Sequence, residues 1–159
     1  NIEKEKIQIL IHPTSFVHAI VFLKGNLIKF LAHDTKMTIP ISNALGIKSD
    51  LKNNGIKKNI KDLNSLEFEY PDKKIFPVIS ILKMLPKKES YFETILVTIN
   101  DTLVNKYLNS HINYASIQTN LLRFLKKPFF TKYYKLKPKN IYDIIKMVSI
   151  TKKYIEKKI

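Results

Sequence analysis

The sequence holds no cysteine and only three glycines in 159 residues. The first shortage excludes disulfides, thiolate metal sites and a cysteine nucleophile, and it fits a reducing compartment, the cytoplasm. The second comes with an absence of glycine-rich phosphate loops: neither a G-x-G-x-x-G run nor a P-loop is present. Arginine is scarce too, Arg123 being the single one. No run of about 18 apolar residues occurs, so no membrane-spanning helix is expected. The first residues are charged and lack the apolar stretch of a signal peptide. Asn1, in place of Met, reads as a cut point with sequence missing upstream.

What is abundant is lysine. The formal net charge is +15, which invites a nucleic-acid reading. With one arginine, however, the chain lacks the better bidentate reader of phosphate and guanine. The lysines travel with Ile and Asn, all AT-rich codon choices, and a biased genome explains them. The pairs Lys57-Lys58, Lys73-Lys74, Lys87-Lys88 and Lys152-Lys153 are spread along the chain, as solvated faces are. Hydrophobic residues make up 45% of the chain, enough to bury a core.

Three of the four histidines fall between Ile11 and Leu45. Ile7 to Ile11 reads as a short buried strand stopped by Pro13. His12-Pro13-Thr14-Ser15 is a turn. Phe16–Leu23 and Leu27–Ala32 read as strands, and Lys24-Gly25-Asn26 between them as a hairpin turn. Neither strand alternates cleanly, which implies that both faces are covered, a second subunit being one candidate cover. Pro40 suits the first turn of a short helix to about Leu45, ended by Gly46. From Ile47 to Asn64 the composition turns to Lys, Asn, Asp and Ser, a linker. Ser65–Tyr70 is an extended piece.

Helical spacing begins at about Phe76, with Val78, Ile81, Leu82 and Leu85 on one face and Pro86 as the stop. Thr94–Leu108 carries Ile95, Ile99, Leu103 and Leu108 as a stripe. Asn113 can cap a third helix with Ile117, Leu121, Leu122 and Leu125 inward, ended by Pro128. Residues 129–139 read as an aromatic, lysine-rich connection. Asn140 can cap the last helix, with Asp143 near its positive end and Ile141, Ile144, Ile145 and Val148 as its seam. The fold class is therefore α+β: a strand and β-hairpin portion over residues 1–47, a linker over 48–75, and a small helical bundle over 76–159.

A metal site needs three or four converging His, Asp or Glu side chains. His12 and His18 are six apart across a proline turn, and His33 with Asp34 lacks a third ligand. A Ser15–His18–Asp34 triad has no nucleophile elbow beside it. By spacing alone, His18 is a core histidine satisfied by one hydrogen bond, or a member of a polar cluster with His12 and Ser15. Met37 by itself reads as packing.

Several segments together go further. Glu5–Val21, E-K-I-Q-I-L-I-H-P-T-S-F-V-H-A-I-V, resembles a stretch of 1-deoxy-D-xylulose 5-phosphate reductoisomerases that reads H-P-Q-S-x-x-H after a strand and before a hairpin. Lys24-Gly25-Asn26 falls at that family's D-G-S turn. Met37–Ile41, M-T-I-P-I, is similar to its P-D-M-R-x-P-I, with Thr35-Lys36 where the family has Pro-Asp. Leu66–Pro77, L-E-F-E-Y-P-D-K-K-I-F-P, looks like its L-T-F-x-x-P-D-x-x-R-F-P. Asn100-Asp101 echoes the end of its L-N-A-A-N-E, with Val97-Thr98-Ile99 in place of N-A-A. The matches keep order and spacing over about two thirds of the chain.

The resemblance implies the C-terminal portion of such an enzyme: the end of its catalytic and dimerisation domain, a linker, and the C-terminal helical domain. It implies rearrangement of 1-deoxy-D-xylulose 5-phosphate and hydride transfer from NADPH, giving 2-C-methyl-D-erythritol 4-phosphate in isoprenoid precursor synthesis. A divalent metal, Mg or Mn, acts there as a Lewis acid. The family's NADPH-binding and metal-binding motifs are missing from this chain, which alone is expected to be inactive. By the same resemblance, His18 and Ser15 bind substrate near its phosphate end and Met37 packs by the nicotinamide. The hairpin then belongs to a homodimer interface. The competing readings are a basic helical module binding nucleic acid or an anionic surface, and a freestanding dimerising domain.

Overall fold

The computed structural model of the chain describes residues 3–33, 35–47 and 66–159, Lys4 by its backbone alone. The chain falls into two compact units, one of residues 9–71 and one of 1–8 with 72–159. Most of the expected linker, 48–65, lies outside the described residues.

The first unit is built on a two-stranded antiparallel hairpin, β1 (Val17–Phe22) and β2 (Ile28–Ala32). Gly25 and Asn26 both take positive φ, +78° and +61°, as a tight turn demands, and Leu23 N–H donates to Leu27 O at 2.9 Å. Of the expected strand at 7–11, only Ile11 forms a β-bridge among the described residues. It exchanges two hydrogen bonds with Glu69, both 2.9 Å, and Ile7, Ile9 and Leu10 are exposed. A strand needs a neighbour along its whole length, and one bridge does not supply it. The short helix α1 (Thr38–Ala44) carries Pro40 in its first turn. At its end Gly46 (φ +65°) donates to Asn43 O and Ile47 to Ser42 O. That paired bonding is a Schellman cap, which needs a left-handed residue at Gly46.

The second unit holds the core. A short 3₁₀ turn, Lys4–Lys6, belongs to it. Pro77–Met84 is a 3₁₀ helix, not the expected α-helix. Its apolar residues explain the choice: Val78, Ile81 and Met84 recur every third residue, the 3₁₀ repeat, and all three meet the core. Leu82, expected inward, is not among the core residues.

Helix α2 (Tyr91–Leu108) starts three residues before the expected Thr94, because Ser90 caps it by accepting from Phe92 N–H. Phe92, Ile95, Ile99 and Leu103 are fully buried, whereas Leu108 is exposed. Helix α3 (Tyr114–Leu125) is capped by Asn113 as expected, and buries Leu121, Phe124 and Leu125. Ile117 and Leu122 pack against that core only in part. Pro128 opens a four-residue helix, α4 (Pro128–Thr131), two residues after Lys126 has ended α3. The aromatic residues of 129–139, expected as a connection, join the core. Phe130 is fully buried and Phe129, Tyr133 and Tyr134 pack on the core.

Helix α5 (Ile141–Glu156), capped by Asn140, also departs from expectation. Ile141, Ile145 and Val148 are exposed; Met147, Thr151 and Ile155 form the buried seam. A threonine in mid-seam hides the stripe from a hydropathy reading. Helix α2 packs against both α3 and α5.

The four buried hydroxyls on these helices differ in one respect. Ser90 serves a cap, and Thr98 and Thr102 donate to the carbonyls of Thr94 and Thr98, both at 2.7 Å. Thr151 is fully buried with no partner for its Oγ1 among the described residues. Burial of an unbonded hydroxyl costs about 1–3 kcal/mol. Thr151→Val is expected to raise stability by about 1 kcal/mol in denaturant unfolding of the chain. The Tyr134 hydroxyl, by contrast, donates to Leu125 O at 2.7 Å, and burial pushes its ionisation far up. Tyr134→Phe is expected to lower stability by about 1–2 kcal/mol in the same measurement, since it orphans a carbonyl at the end of α3.

Candidate functional site

The histidines of the first unit are placed by its hairpin. Val17 pairs with Ala32 and Ala19 with Leu31, so two steps along β1 match one along β2. His18 is the extra residue, a β-bulge, which leaves it outside the regular pairing and re-aims its side chain. His18 is exposed, not a core histidine. Its Nε2 lies 3.3 Å from the carbonyl oxygen of His33, and its ring stacks on the His33 ring with centroids 3.9 Å apart and 19° between planes. A carbonyl can only accept, so this contact fixes the hydrogen on Nε2. His33 is itself anchored, its N–H donating to Phe16 O at 3.1 Å.

His12 does not join that pair. Its Nδ1 reaches Glu67 O at 2.8 Å, its Nε2 meets Thr14 Oγ1 at 2.9 Å, and its ring stacks on Phe68 at 4.9 Å. Both ring nitrogens are used in holding the turn to the 66–70 stretch, so His12 is a clamp. The polar cluster of His12, Ser15 and His18 therefore separates into two arrangements. Ser15 closes the turn, its N–H donating to His12 O at 2.9 Å. It does so at φ +51°, a left-handed conformation costly for a residue with a β-carbon. Asp34, the third member of the conceivable triad and partner of His33 in the conceivable metal pair, lies outside the described residues.

Met37 stands at the N-cap of α1 with its side chain exposed, 67% of it accessible. The cap position carries no side-chain hydrogen bond, so α1 begins on backbone geometry alone. A soft thioether is thus presented to solvent, free to pack on a flat ring.

Metal chemistry has less to work with. Among the described residues no three His, Asp or Glu side chains come together as a metal donor set. The described residues therefore offer no donor set that fits the divalent metal the resemblance implies. Among the described residues no helix is long and apolar enough to cross a membrane. The second unit carries an open apolar groove of about 450 Å3, with Ile75, Phe76, Val78 and Tyr114 among its lining residues and Asn100 and Gln118 as its polar members.

The bulge and the His33 contact were not foreseen in the sequence. The one available signal was the failed alternation across Phe16–Leu23, which a bulge produces by shifting the two-residue count at His18.

Comparison with known proteins gives one consistent result. The family model for the DXP reductoisomerase C-terminal domain matches residues 33–154. A 1-deoxy-D-xylulose 5-phosphate reductoisomerase of Pelagibacter ubique is 42% identical over 144 residues, covering 91% of this chain and 37% of the relative. That of Persephonella marina is 30% identical over 154 residues, covering 96% of this chain and 40% of the relative. A crystal structure of DOX-P reductoisomerase in complex with NADPH, fosmidomycin and magnesium superposes with a TM-score of 0.79 at 22% identity, over 97% of this chain and 39% of that one. The chain thus spans about two fifths of the length of the relatives it matches. None of these similarities supports the nucleic-acid reading of the lysines.

Proposed function

This chain belongs to the DXP reductoisomerase C-terminal domain family, and from that premise we propose that it is the C-terminal part of an NADPH-dependent 1-deoxy-D-xylulose 5-phosphate reductoisomerase. The observation that carries the proposal is 42% identity over 91% of the chain to a reductoisomerase. In this reading residues 1–47 end the catalytic domain, 48–75 link, and 76–159 form the helical domain. The reaction is the rearrangement of a ketose phosphate followed by hydride transfer from NADPH, in isoprenoid precursor synthesis by the methylerythritol phosphate route. In this reading the compartment is the cytoplasm, consistent with the chain's lack of cysteine. NADPH, when bound, supplies the hydride. The metal and most of the nucleotide contacts come from segments outside these 159 residues.

What this chain contributes is the placement of substrate. His18 is the residue for the phosphate end. With Nε2–H directed at the His33 carbonyl, Nδ1 is the nitrogen left for a ligand, and the imidazolium form donates from it. Ser15 is the second contact. It lies three residues before His18, in a turn whose left-handed backbone (φ +51°) fixes its direction. Met37 packs on the nicotinamide ring from the start of α1, where its exposed thioether is available. In the full-length protein His18→Gln is expected to raise KM for the sugar phosphate roughly 10- to 100-fold, with a smaller change in kcat. That corresponds to one lost hydrogen bond to a charged group, about 1.5–3 kcal/mol. Steady-state kinetics check it, and unchanged KM with unchanged turnover would remove His18 from the site.

The hairpin has a second part in this reading. Both of its faces are apolar and open in the single chain: Phe22 is 75% exposed, and Phe30 and Leu31 about half. So much contiguous apolar surface on two short strands calls for a cover, and the reading assigns it to a second copy of the same chain. Light scattering of the full-length protein is expected to return the mass of a dimer, reduced to one chain by Phe22→Glu; a monomer for the unaltered protein would overturn the assignment.

A further inference from the structure

We infer that His33 is a positioning residue that acts through His18. The inference rests on the substrate-binding role of His18 set out above, and it adds a residue that neither the motif resemblance nor the relatives assign. The bulge creates the need for such a residue. An extra residue in a strand is released from the ladder, so its side chain gains freedom of direction that a regular strand residue lacks. A phosphate ligand needs the opposite, a ring held within a narrow range of angles.

His33 supplies that restraint in two ways. Its carbonyl accepts from His18 Nε2 at 3.3 Å, which sets the tautomer and the tilt in the ring plane. Its imidazole lies against the face of the His18 ring, 3.9 Å between centroids and 19° from parallel, which blocks rotation out of that plane. The carbonyl contact alone is long for a hydrogen bond and would leave the ring free to swing. The stack is therefore the part that holds. His33 can serve because its own backbone is fixed to Phe16 O, just before β1, at 3.1 Å, one residue beyond the last β2 pair at Ala32. The two rings thus meet across the bulge, one released by it and the other anchored beside it.

The test separates the ring from the carbonyl. His33→Ala removes only the ring. In the full-length protein it is expected to raise KM for the sugar phosphate about fivefold while kcat stays within about twofold. His33→Phe, which keeps a flat ring over His18, is expected to return KM to within about twofold of the unaltered protein. In a His18→Gln background, His33→Ala is expected to add nothing, because the residue it acts through is gone. An unchanged KM for His33→Ala beside a raised KM for His18→Gln would overturn the inference and leave the role of His18 standing. No effect from His18→Gln would instead overturn the reading beneath it. Equal losses from His33→Ala with and without His18 would mean that His33 acts by itself, which also overturns the inference. Should the alanine variant fail to fold, ring-labelled histidine NMR of the His33→Leu protein reads the same contact. The His18 Hε1 resonance is expected to lose the ring-current displacement caused by the stack, and an unmoved resonance counts against it.

Discussion

One face of one helix holds the second unit together. Phe92, Ile95, Ile99 and Leu103 repeat at helical spacing along α2 and none retains any exposed surface. Each such side chain gains about 1.5–3 kcal/mol by leaving water, and together they define where α3 and α5 pack, with the 3₁₀ helix set against α3. The aromatic residues in and after α4 close the arrangement: Phe92 meets Tyr134 edge to face, and Phe129 and Phe130 pack around Tyr154. The substitutions that set this stretch apart from the family pattern are absorbed by the same helix. Val97 faces outward, Thr98 satisfies its hydroxyl on the preceding turn, and Ile99 fills the core.

How much of this was legible in the sequence depended on how local each cause is. Asn113, Asn140, Pro40, Gly46 and the Lys24-Gly25-Asn26 turn act through their own backbones and immediate neighbours, and each stands where a reading of the residues puts it. The seam of α5 is not legible in the sequence because burial is decided by what lies opposite. Thr151 is buried by its neighbours despite its hydroxyl, while Ile145 is apolar and faces out. Ser90 does not announce itself in the sequence, because a cap is recognisable only if the helix is known to begin there. The site shows the same division. His18, Ser15 and Met37 came from a motif resemblance, a pattern along the chain. The stack of His33 on His18 joins residues fifteen apart through a bulge that no local motif announces.

Two kinds of histidine thus stand close in sequence and differ in their capacity for ligands. His12 has both ring nitrogens occupied and one face covered by Phe68. His18 has one nitrogen engaged and is exposed. Nothing in the residue types distinguishes them. The difference arises because Pro13 and the left-handed Ser15 turn the chain between them, so that one ring faces the 66–70 stretch and the other meets His33.

The 3₁₀ helix Pro77–Met84 fixes a length. Eight residues wound this way advance about 2.0 Å each, against about 1.5 Å in an α-helix, so rewinding would draw the segment in by roughly 4 Å. Val78, Ile81 and Met84 prevent that, since an α-helix would fan them around its axis and pull at least one from the core. The spacing of three apolar side chains therefore acts as a ruler, setting how far the backbone travels between Phe76 and Leu85.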